Sequence, residues 1–150
     1  MRIRNRSSRD TETVRRLVRF ACRELDPSVR RQLYVEVKDT RWASWSGHAG
    51  DIRWHSFSTA ERRAMPAGCR YRILVCVGAD RHFPALATGR RGLQHDVRCW
   101  REALVYIGAH EAKHVERFAD GRYRNGAAGE AACDAFMVWM LEQARSAGAV

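Results

Sequence analysis

Three residues in this chain have the types and spacing to do chemistry with a metal: His110, Glu111 and His114, an H-E-x-x-H. On a helix, positions four apart lie one turn above each other on one face. Two imidazoles so placed can share one zinc ion at about 2.0–2.1 Å. Glu111 stands beside them, where a carboxylate can take a proton from a metal-polarised water. A catalytic zinc also needs a third protein ligand and one open position. Glu130 lies a short loop downstream and opens the last expected helix. Asp134 follows one turn later, spaced to hydrogen-bond a ligating histidine from behind.

This arrangement resembles the gluzincin branch of zinc metallopeptidases, whose H-E-x-x-H is followed by a helix bearing E-x-x-x-D. The matching positions are His110, Glu111, His114, Glu130 and Asp134. The resemblance implies two histidine ligands, a glutamate base, a glutamate ligand and an aspartate supporting a histidine. The stretch from Tyr71 onward is also similar to small bacterial and phage proteins of minigluzincin type. They share a strand, a Phe-Pro loop (here Phe83-Pro84), the motif helix and a Glu/Asp helix. The resemblance implies hydrolysis of peptide bonds in a peptide or protein substrate. By analogy with zincins, a sheet-edge strand before the motif helix is expected to bind that substrate as an added strand.

Asp120 is the alternative third metal ligand. It lies six residues after His114, where the metzincin pattern H-E-x-x-H-x-x-G-x-x-H/D places its ligand. That pattern needs a turning glycine, and Arg117 stands there instead. Glu130 is favoured because Asp134 supplies a matching support. No histidine follows His114, and His48, His55, His82 and His95 read as surface or satisfied core residues. The oxyanion donor stays open among Tyr106, Tyr123, His95 and nearby arginines. The five cysteines are odd in number and lack C-x-x-C spacing, so they read as reduced, mostly buried thiols outside the metal site.

The elements that must position these residues follow from periodicity. Asp10 can cap a helix whose stripe is Val14, Leu17, Val18, Ala21 and Leu25, ending at Asp26-Pro27. Gln32 to Asp39 alternates as a half-buried strand. Asp51 to Phe57 reads as a second strand after a loop or hairpin holding Trp42, Trp45 and Gly47 to Gly50. Trp42, Trp45 and Trp54 suit packing better than base stacking. Ala60 to Cys69 reads as a connection with a short helical turn. Tyr71 to Val77 is the strongest strand, continuously apolar from Ile73 to Val77, and should be central or covered on both faces. Gly78 to Gly92 reads as a basic loop, including Gly89-Arg90-Arg91-Gly92. The motif helix is expected from near Asp96 to near Phe118. A turn-rich stretch with Asp120-Gly121 and Asn125-Gly126 leads to a last helix over Glu130 to Ala144.

The expected fold is α+β: an N-terminal helix, a small mixed or antiparallel sheet, and two C-terminal helices carrying the metal site. At 150 residues it should form one zincin-like domain. No signal-peptide core or membrane-spanning run is evident, so a cytoplasmic protein with no membrane partner is expected. The formal charge is +10, from 27 Lys and Arg against 17 Asp and Glu. That surface suits nucleic acid, or else reflects arginine-rich composition. The alternative function is a basic nucleic-acid-binding or interaction module with a structural metal site.

Overall fold

The computed structural model describes residues 1–40, 45–55, 57–88, 94–123 and 126–150. Trp42, Gly89-Arg90-Arg91-Gly92 and Asn125 lie outside them.

A four-stranded mixed sheet is built from β1 (Arg2–Arg6), β2 (Leu33–Asp39), β3 (Ser46–Asp51) and β4 (Tyr71–Val77), with alternation in β2 and an apolar run in β4. Their order is β1-β2-β4-β3. The first three in that order are parallel, and β3 runs antiparallel to β4 as the outer strand. The apolar run of β4 thus occupies a central position, as its composition requires. A second sheet pairs β5 (Ala85–Thr88) with β6 (Gln94–Val97), antiparallel. The helices are α1 (Thr11–Ala21), α2 (Pro27–Arg31), α3 (Thr59–Ala64), α4 (Trp100–Ala119) and α5 (Ala127–Ser146). The fold is therefore α+β, closing on two long helices. No described helix is long and apolar enough to cross a membrane.

One face of the sheet carries Leu33, Val35, Val37, Ile73 and Val75, all buried in one core with α1 and α4. Val14, Leu17, Val18 and Ala21 of α1 form the expected buried stripe. Asp10 caps α1, its carboxylate accepting the Thr13 N–H at 2.7 Å. Gly108 brings α1 close to α4: a Cβ there would lie 3.1 Å from the Ala21 Cβ. α4 is buried along most of its length, Glu102, Glu111 and His114 included. Such burial of polar groups is stable only where each finds a partner.

Several boundaries differ from expectation. α1 stops at Ala21, and Asp26-Pro27 opens α2 rather than closing α1. Asp26 caps α2 by accepting the Ser28 N–H, and Pro27 suits a first turn whose N–H has no intrahelical partner. The strand expected over Asp51 to Phe57 lies instead at Ser46–Asp51. Its glycines suggested a loop, but Phe57 packs over Gly50, where a Cβ would meet its ring at 2.5 Å. The basic loop after Gly78 contains β5. Asp96 belongs to β6, so the motif helix begins at Trp100. There Glu102 reaches back to accept the Arg98 N–H at 2.8 Å, satisfying a donor just before the first turn.

Glu102 also fastens α4 to α5. Arg145 donates from Nε to Oε1 at 2.9 Å and from Nη2 to Oε2 at 2.6 Å. Burial pushes the Glu102 carboxyl up, but Arg145 and the Arg98 N–H outweigh it and hold the group below the ordinary range. A carboxyl lowered in the folded state stabilises above its unfolded pKa, and that stability is lost as pH falls through the folded value. Arg145→Ala leaves Glu102 buried without its counter-charge. It should cost about 2 kcal/mol at neutral pH, a buried-pair value reduced for the partial exposure of Arg145. In urea unfolding, the deficit against wild type should shrink on acidification below about pH 4.

Candidate metal centre

Helix spacing alone puts His110 and His114 on one face of α4, and the packing of α5 then decides what they meet. Their Nε2 atoms face each other at 3.0 Å. Glu130, in the first turn of α5, approaches both. Its Oε1 lies 3.6 Å from His114 Nε2 and its Oε2 lies 3.7 Å from His110 Nε2. Donors around a tetrahedral zinc at about 2.05 Å would stand about 3.3 Å apart. The three observed separations bracket that value.

Behind each ring is a second contact. Asp134 Oδ1 lies 3.2 Å from His110 Nδ1. Cys133 Sγ lies 3.5 Å from His114 Nδ1, fully buried. Each imidazole therefore has a neighbour at Nδ1, a carboxylate oxygen for His110 and a thiol for His114, and the two rings converge at Nε2. A partner at Nδ1 fixes the tautomer and leaves the Nε2 lone pair for a ligand. Phe118, one turn after His114, stacks along its ring at 6.1 Å. The other wall is β3. Gly47 passes so close to α4 that a Cβ there would lie 2.5 Å from Ile107 Cγ2 and 2.6 Å from Glu111 Oε1. Ala49, two residues on, donates its backbone N–H to the Glu111 carboxylate.

Glu111 is 7% exposed, and burial, reinforced by the Glu130 charge, pushes its carboxyl up to about 8. The Ala49 N–H pulls the other way without offsetting this. Tyr106, one turn before His110, has a buried hydroxyl with no hydrogen-bond partner among the described residues. Burial and then the Asp134 charge push it up to about 12.

His110, His114, Glu130 and Asp134 are thus brought together from the two helices, with Glu111 beside them against β3. Asp120 is placed elsewhere, at the exposed C-terminal end of α4, where it pairs with Arg122 at 3.4 Å. Cys133 corrects the expectation that no cysteine adjoins the site. His110, His114 and Cys133 offer ligand atoms within 4.8 Å of one another and can hold a metal ion as a group. The sulfur, however, faces the opposite nitrogen of His114 from the one that meets His110 and Glu130. The geometry accordingly suits Cys133 better as a support behind the ring. Its position three residues after Glu130, on the same helical face, was the available signal. No family model matches the chain, and no curated protein or solved structure is significantly similar to it.

Two outcomes follow for the metal-free protein. The folded state retains the Glu111 proton up to about pH 8, whereas an unfolded glutamate releases it near pH 4.3. The folded state binds more protons across that window, so stability must fall as pH rises through it. Chelator-treated Glu111→Gln lacks this slope. By urea unfolding it should exceed wild type by at least about 1 kcal/mol at pH 8, with the difference vanishing near pH 4. Gly47→Ala forces β3 away from α4 and should cost about 1–3 kcal/mol by the same measurement.

Proposed function

We propose that this chain is a zinc-dependent metallopeptidase in which His110, His114 and Glu130 hold the metal and Glu111 is the general base. The observation that carries the reading is the two-sided hold on the histidines. Both Nε2 atoms converge with Glu130 while Asp134 and Cys133 engage the Nδ1 atoms. Two imidazoles and a carboxylate suit zinc among common divalent ions. When bound, zinc supplies a Lewis acid for the scissile carbonyl and lowers the pKa of water at its open position to about 7.

The remaining work belongs to the chain. A nearby cation favours the ionised form of a carboxyl, so Glu111 becomes a base as its site fills. It takes the proton of the attacking water and passes it to the leaving amine. Ala49 N–H keeps the carboxylate on the β3 side, clear of the histidines. β3 is the outer strand of its sheet, and Gly47 and Ala49 lie against Glu111. An extended peptide added to the open edge of β3 would bring its backbone past that carboxylate. No residue of α1, α2 or the arginine-rich N-terminal segment takes part in this scheme.

The test is metal content and peptidase activity, measured together. Wild type should carry close to one zinc per chain and cleave an unstructured protein such as casein. Glu111→Gln should keep the zinc and lose activity by about 10²–10⁴-fold. Glu130→Gln should weaken zinc binding more than Cys133→Ser does, and the cobalt-substituted protein should lack a sulfur-to-metal charge-transfer band. Full activity in Glu111→Gln would refute the base assignment. A strong charge-transfer band, lost in Cys133→Ser, would move the third ligand to Cys133. Zinc without cleavage of any substrate, unchanged by Glu111→Gln, would favour a structural metal in a binding module.

A further inference from the structure

Charge is unevenly spread along this chain. Residues 1–31 hold ten arginines against four carboxylates, which is +6 of the total +10. The fold gathers this segment at one end. β1 is the outer strand of the sheet on the side away from β3, and α1 and α2 lie beside it in the chain. Beside α1 and α2 is an open cleft of about 450 Å³ lined by Met1, Arg19, Pro27, Arg30 and Arg31. That volume is within the usual range of ligand sites.

The four carboxylates of the segment are otherwise committed or distant. Asp10 and Asp26 cap α1 and α2. Glu24 pairs with Arg23 at 2.9 Å. Glu12 is largely exposed and reaches Arg15 and Arg19 only at 3.8 and 3.9 Å. Arg30 donates to the Arg23 carbonyl instead of to an acid. Among the described residues, Arg2 and Arg4 on the exposed side of β1 and Arg30 and Arg31 form no ion pair, and the nearest counter-charge to Arg31 is the capping Asp26, whose carboxyl its charge helps to lower. Three guanidinium groups around one cavity, with little counter-charge, repel one another unless an anion enters. Guanidinium forks match phosphate oxygens in shape as well as charge.

We propose that this cleft binds the phosphodiester backbone of a nucleic acid, with Arg19, Arg30 and Arg31 as its phosphate contacts and Arg2 and Arg4 continuing the track along β1. A lipid surface fits less well, because membrane binding by a basic face is usually secured by an apolar anchor beside it. Among the described residues the exposed large hydrophobic side chains are Trp54, Leu86 and Trp139, and none lines the cleft. The contact is to backbone, so affinity without base selectivity is expected. With β2 and β4 between β1 and β3, the two edges stand about 14 Å apart across the sheet. A bound strand would therefore leave the β3 edge and the metal centre open. This inference does not depend on the peptidase reading.

The experiment is fluorescence anisotropy with a labelled 20-nucleotide single-stranded DNA, titrated with full-length protein between 50 and 200 mM NaCl. Three phosphate contacts give a slope of about −2 or steeper for log K against log salt. The variant Arg19→Glu/Arg30→Glu/Arg31→Glu should bind at least tenfold more weakly, with a slope shallower by about 2. Arg63→Glu/Arg81→Glu/Arg101→Glu makes the same charge change elsewhere and should stay within about threefold of wild type. Circular dichroism checks folding, and the milder Arg→Gln triple at 19, 30 and 31 should show the same direction of loss. Equal weakening by both charge-reversed variants would reduce the binding to net charge and overturn the site. So would no binding by wild type at 50 mM salt. Loss of binding to phosphatidylserine vesicles, with oligonucleotide binding intact, would assign the cleft to a membrane and equally overturn it.

Discussion

The site depends on one constraint: α4 is buried while carrying polar groups that need partners. A helix lined by apolar residues alone could settle at several rotations against the sheet. This one cannot, because Glu102, Glu111 and His114 must each find a donor or acceptor where they are buried. Arg145 and the Arg98 N–H meet the first, the Ala49 N–H the second, and Cys133 with Glu130 the third. Those partners come from the sheet edge and from α5. Satisfying them fixes the rotation of α4 and the register of α5 together. The convergence of the two Nε2 atoms is then a product of the same packing that builds the core.

The parts of the site that were legible in sequence are those set by spacing within one helix. His110 with His114, and Glu130 with Asp134, are four apart, and a helix converts that interval into a shared face whatever surrounds it. The contact of Cys133 with His114 depends on how two helices register, which no single-helix pattern encodes. Among the strands, β4 was legible because continuous apolar residues suit only a central place. β3 was not, since Gly47 and Gly50 have no side chain to alternate. Their value lies in what they admit, Glu111 on one face and Phe57 on the other. β1 carries arginine at alternate positions and one isoleucine, so its pattern shows the exposed face of an edge strand and little of the buried one.

The same accounting explains why α2 and α3 were hard to see. Each is short and carries no buried residue, so neither has an apolar stripe to read. Their caps are the stronger signals: Asp26 with Pro27 for α2, and the Ser58–Glu61 capping box for α3. The other oxygen of Glu61 accepts a hydrogen bond from Arg72, which also donates to the buried Glu36. That chain of charges ties the outer face of the sheet to α3 and keeps an arginine inside at acceptable cost.

The ion pair between Glu102 and Arg145 lies at one end of the α4–α5 pair, and the histidine cluster lies toward the other. From Glu102 to His114 the helix advances about 18 Å. The two helices therefore resemble a pair of tongs with a permanent rivet at one end and, were a metal ion bound by the histidines, a removable one at the other. Removing the ion from such a device does not loosen both ends equally. Motion in the metal-free state is expected to concentrate in the first turn of α5, while the riveted end stays closed. An ion bound there would act on that end alone, and its uptake would be coupled to the ordering of Glu130.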